Sequence, residues 1–479
     1  MGGDRKGSFG RGRPSFINQN DQNIGYLMEN IFSQAIIIGN FFLDATALSL
    51  KIKRGKKSLG KGERERKPKT KMKICDITQF YSPCSGGVKR YLSEKQDYVR
   101  RLAKDEHFLI VPGEKNQHLS DKSVHTITIK SPRLDKTSRY RVMLNLKTLS
   151  LLIDEINPDI IEVGDPYQLA WFILRKARRL KIPVVGFYHS HFPEAYLRTF
   201  SRYGGKLAET AFRNMAKGYI ISLFSKFRLT VVPSYKLCGL LKNWGLDNAV
   251  PLPLGVDTEN FSPGPKDESW RKFLAIPPDA FLLLYVGRLS KEKNLVLLLE
   301  TFRCLLEEEP GNNYWLLIIG DGPLRSLVLD LKKKLGRIAW IPYLDSKEDL
   351  ARSYRSADLF VHPGIVETFG LVTIESQSCG CPVIGVHGTN MDEQIEGGLE
   401  YWPRKNCPRA FAEAIRNFRQ TDLRELGLEL SRKVRAKYGW GQVFERLWGY
   451  YLKAMGKEGR DECKEAVLEY AQKRGVDGP

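Results

Sequence analysis

Short apolar runs alternate with amphipathic stretches along most of the chain from residue 72 onward. The run MKICDITQF (72–80) has the pattern of a buried strand, and Gly86–Gly87 and an amphipathic stretch over 88–102 follow it. Later apolar runs end in turn residues, and the stretches between them, notably 141–156 and 167–180, have helical spacing. Strands that alternate with helices predict a parallel sheet with helices packed on both of its faces.

A second series of the same kind begins after the Pro- and Gly-rich stretch PLGVDTENFSPGPK (253–266), which is typical of a linker. FLLLYVGRLS (281–290) predicts a strand that ends in a loop, and 294–308 and 323–335 predict helices. The last regular stretch, 440–456, predicts a closing helix with an aromatic face. The fold class that follows is α/β, with two similar doubly wound, Rossmann-like domains.

The N-terminal stretch before the first strand has a different pattern. It begins with low-complexity sequence rich in Gly, Arg and Asn, contains one apolar patch at 31–50 and ends in the basic run 51–71. Polar residues interrupt the patch, and Asp44 alone would cost ~3 kcal/mol at the middle of a membrane span. We therefore expect a basic, disordered extension. A membrane-surface anchor is one alternative, and a natural start at Met72 is another.

These changes of pattern divide the chain into four parts. We expect the basic extension over 1–71, an N-terminal Rossmann-like domain over 72–256, and a C-terminal one over 257–439. A closing helix and tail occupy 440–479. No repeat shorter than a domain is visible in the sequence.

Composition adds one unusual feature, which is charge. Apolar residues make up 42% and charged residues 27% of the 479 positions, as in ordinary globular proteins, and the eight cysteines include no metal-type C-x-x-C pair. These values exclude a wholly disordered or multi-span membrane protein. The formal net charge is +21, of which +9 lies in residues 1–71. Such an excess predicts an anionic partner: a nucleic acid, an anionic lipid surface or a phosphorylated ligand.

Candidate ligand-binding residues lie where predicted strands end, which is the edge at which doubly wound sheets bind ligands. Gly86–Gly87 follows the first strand and allows close backbone approach at the start of a helix, although a plain turn explains it equally well. Arg288 and Lys293 follow a strand of the second series, where two cations beside a helix start can hold a diphosphate. The alternative is a solvated loop in which they pair with Glu292.

Two glutamates flank a predicted turn into a helix further along the second series. Glu367 lies in the loop, and Glu375 lies one turn inside the helix that follows Thr368–Phe369–Gly370. We expect both carboxylates to face one cleft, beside free backbone N–H groups at Phe369–Leu371. Carboxylates suit sugar hydroxyls, and free N–H groups suit phosphate. A favourable contact with the helix dipole, worth ~0.3–1 kcal/mol, would explain one glutamate but not the pair.

His189 and His191 follow a predicted strand at the ligand edge of the first domain. This spacing would suit two metal ligands, but zinc needs further ligands, and the sequence has no Cys, His or carboxylate cluster of suitable spacing. We expect one of the two imidazoles to point into the cleft as a hydrogen-bond donor. A purely structural role is the alternative.

Taken together, these motifs resemble those of retaining GT-B glycosyltransferases of the group-1, or family-4, type. The second series contains the matching pieces in order: LGVD (254–257), VGRLSKEKN (286–294), IGDGP (319–323), ADLFVHPG (357–364) and ETFGLVTIE (367–375). The first domain agrees more loosely, through SGGVKRYL (85–92) and FYHSHFP (187–193). The resemblance spans roughly Met72 to Leu452.

The resemblance implies that the second domain holds most of a nucleotide-sugar donor and that the first domain lies on the acceptor side. Arg288 and Lys293 would neutralise the donor diphosphate. Glu375 would bind the nucleotide ribose, and Glu367 would contact hydroxyls of the transferred sugar. The base would stack near Pro342–Tyr343.

The resemblance also implies roles for backbone groups and for the first domain. The N–H groups of Phe369, Gly370 and Leu371 would hold the sugar and phosphate, and Gly86–Gly87 would approach the phosphates. His189 would lie near the transferred sugar and the reaction centre. The residues expected to take part in the reaction are His189, Arg288, Lys293 and Glu367.

The implied reaction is retaining transfer of a hexose from a UDP-glucose- or GDP-mannose-type donor to a lipid or glycan hydroxyl. The chain has no D-x-D motif, which agrees with metal-independent chemistry, so we expect neither a metal nor another cofactor. We expect a cytoplasmic enzyme that approaches an anionic membrane surface. A GT-B sugar-nucleotide epimerase is one alternative. A nucleic-acid-binding protein is another, and the absence of an aromatic-basic RNA-binding module from the sequence speaks against it.

Overall fold

The computed structural model describes residues 71–79, 81, 86–133, 140–189, 210–365 and 367–457. Every described residue belongs to the compact unit formed by residues 70–479. The predicted basic extension, apart from Lys71, and the predicted site residue His191 lie outside the described residues. The domain boundaries at 71, 256 and 439 stay predictions.

The first half of the described chain builds one sheet of eight strands in the order β3-β4-β2-β1-β5-β6-β7-β8. Its strands are β1 (Lys73–Ile77), β2 (Glu106–Gly113), β3 (Gln117–Asp121), β4 (Val124–Lys130), β5 (Ile160–Val163), β6 (Val184–Phe187), β7 (Leu229–Val232) and β8 (Ala249–Pro251). Every neighbouring pair is parallel except β3 and β4. The predicted parallel sheet is therefore confirmed. The sequence did not predict β3, because all its side chains are exposed and it has no apolar pattern.

Helices of the first half connect these parallel strands. They are α1 (Gly87–Leu102), α2 (Leu146–Ile156), α3 (Gln168–Leu180), α4 (described over 210–224) and α5 (Tyr235–Asn243). The helix predicted over 141–156 begins only at Leu146, because Asn145 caps it. The side-chain oxygen of Asn145 accepts a hydrogen bond from the N–H of Thr148 at 3.1 Å, which satisfies one of the unpaired donors of the first turn.

The second half builds a smaller, fully parallel sheet in the order β11-β10-β9-β12-β13. Its strands are β9 (Phe281–Val286), β10 (Tyr314–Ile319), β11 (Ile338–Ile341), β12 (Leu359–Val361) and β13 (Val383–Ile384). The helices that follow the first half are α6 (Glu268–Phe273), α7 (Leu295–Glu308), α8 (Arg325–Leu335), α9 (Lys347–Ser356), α10 (Leu371–Ser378), α11 (Pro408–Arg419), α12 (Leu423–Tyr438) and α13 (Trp440–Ala454). Strands β9 and β10 are almost wholly buried, as expected for strands covered on both faces.

The last helix of the described residues, α13, packs against α1 and the end of β8, both in the first half of the chain. The rings of Trp440 and Phe444 stack with centroids 5.2 Å apart, and Tyr91 of α1 lies 5.9 Å from Phe444. The hydroxyl of Tyr450 donates to the carbonyl of Pro251, at the end of β8, at 2.7 Å. The predicted closing helix with an aromatic face is therefore confirmed, and it ties the end of the described chain to its first half.

Candidate active site

The structure brings two of the predicted residues, Lys293 and Glu367, into direct contact. Lys293 ends the short 3-10 turn Lys291–Lys293 after β9, and Glu367 lies in the loop between β12 and α10. The Lys293 ammonium donates a hydrogen bond to Oε1 of Glu367. Because these loops follow neighbouring parallel strands, the pair lies at the carboxyl edge of the second sheet.

His362 completes this group, and sequence reasoning missed it. Its Nε2 lies 3.3 Å from the same Oε1 of Glu367, and its ring is buried directly after β12. Burial alone would raise the pKa of Glu367, but the hydrogen bond to His362 and the charge of Lys293 outweigh it and lower the pKa to about 2. Glu367 is therefore a carboxylate at physiological pH. His362 lies in the motif ADLFVHPG, but the sequence indicated only that a strand ends in this motif.

Arg288 lies in the same loop as Lys293 but is far more exposed. Its side chain is 65% exposed, and Nη1 lies 4.0 Å from Oε1 of Glu292, four residues further along the chain. The surface pairing considered as an alternative is therefore present, and such a pair contributes little to stability. The Arg288 side chain is thus able to leave Glu292 for an anionic ligand at small cost.

The predicted loop before α10 ends at a glycine in the left-handed region. Gly370 has φ +88°, and α10 begins at Leu371. Both the N–H and the hydroxyl of Thr373 donate to the Gly370 carbonyl, at 3.0 and 2.7 Å. The ring of Phe369 is buried 6.2 Å from the ring of Tyr438. The side chains of Phe369 and Thr373 therefore anchor the loop. The N–H groups at the start of α10 carry the partial positive charge that attracts anions.

The start of α1 in the first half lies against the start of α10 in the second. A Cβ added to Gly87 would lie 3.6 Å from Cδ1 of Leu371, and one added to Gly86 would meet nothing within 4 Å. The structure thus brings together two of the predicted phosphate-contacting segments, Gly86–Gly87 and Phe369–Leu371. Two adjacent helix N-termini bring more partial positive charge to one place than either would alone.

Glu375 has surroundings quite different from those of Glu367. It lies within α10, with a side chain only 2% exposed. Its Oε1 forms an ion pair with Nη1 of Arg90 from α1, and its Oε2 accepts a hydrogen bond from the Tyr354 hydroxyl at 3.2 Å. Both oxygens of Glu375, the residue predicted to bind the ribose, are therefore in contact with other protein groups. Sequence reasoning did not identify Arg90, whose partner lies in the other half of the chain.

His189 follows β6, as predicted, and its ring stacks on Phe187 with centroids 4.0 Å apart. Nε2 of His189 lies 3.1 Å from the position that a Cβ of Gly164 would occupy, so the ring packs tightly against this glycine. Burial, with a smaller effect from the charge of Lys95, lowers the pKa of His189 to about 3. The imidazole is therefore neutral at physiological pH and can donate or accept one hydrogen bond without carrying charge.

A buried network of charges lies beneath His189, and sequence reasoning missed it as well. Lys95 Nζ lies 2.8 and 2.9 Å from the two oxygens of Asp76 and 3.2 Å from Oε2 of Glu162. The Tyr451 hydroxyl from α13 also contacts this group, at 2.5 Å from both Lys95 Nζ and Glu162 Oε2. The ring of Tyr91, which hydrogen-bonds Glu162 at 3.0 Å, lies 5.6 Å from that of His189. The network fixes α1 and α13 against β1 and β5.

Tyr343 lies in the loop after β11, with a side chain that is 65% exposed. Base stacking near this residue stays a prediction. Within the described ranges, no group of three His, Cys, Asp or Glu side chains could hold a metal ion. No helix in the same part of the chain is long and apolar enough to cross a membrane.

Comparisons with known proteins agree with this arrangement in both halves. Residues 266–435 match the family model for glycosyl transferases group 1, and residues 85–260 match that for glycosyltransferase family 4. Together the matched ranges include Gly87, Lys293 and Glu367.

Curated relatives and solved structures give the same result. A GDP-mannose-dependent alpha-(1-6)-phosphatidylinositol dimannoside mannosyltransferase of Mycobacterium tuberculosis is 28% identical over 350 residues, covering 72% of this chain and 87% of the relative. A GDP-mannose-dependent alpha-mannosyltransferase of Corynebacterium glutamicum is 26% identical over 335 residues, covering 68% and 75%. The solved sucrose-phosphate synthase of Thermosynechococcus elongatus shares the fold with a TM-score of 0.62 at 20% identity, covering 81% of this chain and all of that one. The chain therefore belongs to the group-1 glycosyltransferases of the GT-B fold.

Proposed function

We propose that this protein is a retaining hexosyltransferase that moves a hexose from a nucleotide-diphosphate sugar to a hydroxyl of a lipid or glycan acceptor without a metal ion. The observation that carries this proposal is the group formed by Lys293, Glu367 and His362 at the carboxyl edge of the second sheet. It places a cation and an ionised carboxylate together at one point. A diphosphate and sugar hydroxyls need these two kinds of partner.

The diphosphate of the donor is assigned to the cations and helix starts of this edge. Arg288 is free enough to reach a phosphate by two parallel hydrogen bonds, and Lys293 acts as a point charge. The starts of α1 and α10, which meet at Gly87 and Leu371, add N–H groups and helix-dipole charge. As the bond to the sugar breaks, negative charge grows on the leaving diphosphate, and groups already aimed at it stabilise the transition state.

Glu367 is assigned to the hydroxyls of the transferred sugar. A carboxylate with a pKa of about 2 stays ionised at physiological pH and accepts hydrogen bonds from two vicinal hydroxyls. His362 and Lys293 hold its Oε1, so the carboxylate keeps one orientation without the sugar. A preoriented acceptor of this kind reduces the ordering that the bound sugar requires.

His189 is assigned to the reaction centre as a neutral hydrogen-bonding group. Retention follows if the acceptor hydroxyl attacks the face from which the diphosphate leaves. The acceptor oxygen bonds to the anomeric carbon, the bond from that carbon to the phosphate oxygen breaks, and the departing phosphate takes the hydroxyl proton. No protein nucleophile is then needed. An imidazole with a lowered pKa does not compete with the phosphate for that proton.

Relatives suggest which donor and acceptor to test first. Two of them are named for dependence on GDP-mannose, and one of these acts on a phosphatidylinositol dimannoside. GDP-mannose is therefore the first donor to test and a glycosylated lipid the first acceptor. A net charge of +21 suits an enzyme of the cytoplasm that works at an anionic membrane surface.

A thermal-shift screen of the full chain against UDP, GDP, ADP and their sugars tests donor binding. One nucleotide at 100 times its dissociation constant should stabilise the protein by ~2.7 kcal/mol. Lys293→Met should lose most of this effect, whereas Lys291→Met, an exposed cation of the same turn, should keep it. Stabilisation by none of these ligands would exclude the proposal.

Product analysis tests the reaction itself. Nuclear magnetic resonance of the product formed from an α-linked donor should show the α anomer, and activity in excess EDTA should equal that without it. A β-linked product or loss of activity in EDTA would contradict the retaining, metal-independent mechanism. Release of a rearranged sugar without an acceptor would instead indicate an epimerase.

A further inference from the structure

Arg90 lies where the two halves of the chain meet the proposed donor site. It is in the first turns of α1, with its N–H bonded to the Gly86 carbonyl at 3.1 Å. Its guanidinium forms an ion pair with Oε1 of the buried Glu375 and lies 5.7 Å from the centre of the Phe261 ring. Since Gly87 adjoins Leu371, Arg90 stands beside both helix starts that the proposed function gives to the donor phosphates.

The contact occupies Glu375, the carboxylate for which the family resemblance implies a role in binding the nucleotide ribose. Oε1 of Glu375 is held by Arg90, and Oε2 accepts the hydroxyl of Tyr354. A buried carboxylate without a partner is costly, so Glu375 needs Arg90 when no ligand is bound. A ribose that hydrogen-bonds Glu375 therefore approaches a carboxylate that the guanidinium already holds, and the two compete for its oxygens.

We propose that Arg90 is a donor-site residue supplied by the first half of the chain, which pairs with Glu375 in the absence of donor and moves to the diphosphate when donor binds. This inference rests on the proposed function. The exchange leaves both groups with hydrogen-bond partners: Glu375 accepts from ribose hydroxyls, and Arg90 donates to phosphate oxygens. Arginine suits this exchange because its planar fork can bind either a carboxylate or a phosphate through two parallel hydrogen bonds. Arg90 is 28% exposed, so its outer face remains open to a ligand.

A second ion pair on the same helix supplies a matched control. Glu94 lies four residues after Arg90 in α1, and its Oε1 accepts a hydrogen bond from Lys347 Nζ at 2.6 Å. Lys347, at the start of α9, also contacts Asp257 at 2.8 Å. This pair ties α1 to the second half as the Arg90 pair does, but it does not include Glu375. Loss of Lys347 therefore reports on loosening of the two halves alone.

The test compares a nucleoside with its diphosphate by titration calorimetry on the full chain. The probes are guanosine and GDP, or uridine and UDP if the thermal-shift screen selects uracil. In Arg90→Met the nucleoside should bind severalfold more tightly, because no guanidinium competes for Glu375. The advantage of the diphosphate, defined as the ratio of the nucleoside Kd to the diphosphate Kd, should fall about tenfold. The reason is that one charge-assisted contact with phosphate is lost. Lys347→Met should leave that advantage unchanged.

Arg90→Lys serves as a second variant if Arg90→Met does not fold. It should fold because it keeps a positive charge beside Glu375. Its diphosphate advantage should lie between those of the wild type and Arg90→Met, as lysine binds phosphate as a point charge. Equal weakening of both ligands in the Arg90 variants, or no change in either, would overturn the inference. Failure of the proposed function would be visible in the wild type itself, as absence of binding by either probe.

Discussion

Lys293 Nζ donates a hydrogen bond to Oε1 of Glu367, although 74 positions of the chain separate the two residues. The pairing exists because β9 and β12 are neighbours in the second sheet, so that their loops end at the same edge. Nε2 of His362 contacts the same oxygen at 3.3 Å. One carboxylate oxygen is thus held from two separate elements of the fold.

Replacement of Lys293 by methionine should lower kcat/KM for the donor by about 10²- to 10³-fold, because one preorganised charge on the leaving diphosphate is lost. The loss should appear in kcat as well as in KM, since that charge grows in the transition state. Lys291→Met removes a charge from the same turn without touching Glu367 and should stay near the wild type. Equal losses in the two variants, measured by steady-state nucleotide release, would mean that only the net charge matters.

Removal of the His362 ring should make the reaction sensitive to acid. The wild-type pKa of Glu367, about 2, results from His362 and Lys293 working against burial. In His362→Phe, Lys293 alone remains to offset the effect of burial, so the pKa of Glu367 should rise. The pH at which kcat/KM falls on the acid side should therefore be higher in the variant than in the wild type, by one unit or more. One pH unit corresponds to the loss of about 1.4 kcal/mol of interaction with the carboxylate.

His362→Gln is the matched variant for this measurement. Its side-chain amide can place an N–H close to the position of Nε2, so the acid side of the pH profile should return towards that of the wild type. Identical profiles for His362→Phe and His362→Gln would show that the ring serves packing rather than the orientation of Glu367.

Much of this site follows from the sequence because its parts are local. The helix that contains Glu375, the loop that contains Glu367 and the glycines at the start of α1 each lie within one continuous stretch. The turn residues and spacing of each stretch indicate its local structure. The contact between Lys293 and Glu367 needs only the additional rule that ligands bind at the carboxyl edge of a parallel sheet.

The parts that the sequence did not predict depend on packing between distant elements. Arg90 is one basic residue among several in α1, and only the approach of α10 gives it Glu375 as a partner. Lys95 and Tyr451 are 356 positions apart, and α13 brings them together by folding back on the first half. Neither relationship leaves a periodic or compositional signal along the chain.

The first loop glycine of IGDGP should not tolerate even one added carbon atom. Gly320 has φ +148°, and a Cβ there would lie 1.9 Å from the carbonyl oxygen of Gly287. Backbone must move to relieve such a clash, so Gly320→Ala should lower the free energy of unfolding by about 3 kcal/mol or more. Gly311→Ala, where a Cβ would meet nothing within 4 Å, should change it by less than about 1 kcal/mol. Similar urea unfolding midpoints for the two variants would contradict the close backbone approach.

The ionisation of Glu393 should lower the free energy of unfolding as the pH rises from acid to neutral. It lies in the 3-10 turn Asn390–Gln394 and caps the start of α5, accepting from the Ser234 hydroxyl at 3.1 Å and the Tyr235 N–H at 2.8 Å. Burial raises its pKa from 4.5 to about 7, against these hydrogen bonds and the one from the Lys236 N–H. Between these values the unfolded chain loses the proton while the folded chain keeps it, so unfolding becomes easier by up to about 3 kcal/mol.

Glu393→Gln removes this titration and keeps an oxygen that accepts from the backbone of α5. Urea unfolding of wild type and variant at pH 5 and pH 8 separates the two effects of the change. A weaker cap lowers the free energy of unfolding by the same amount at both values. Loss of the titration makes the fall from pH 5 to pH 8 smaller in the variant, by up to about 3 kcal/mol. If the fall were as large in Glu393→Gln as in the wild type, Glu393 would be ionised at pH 5 in the folded chain despite its burial.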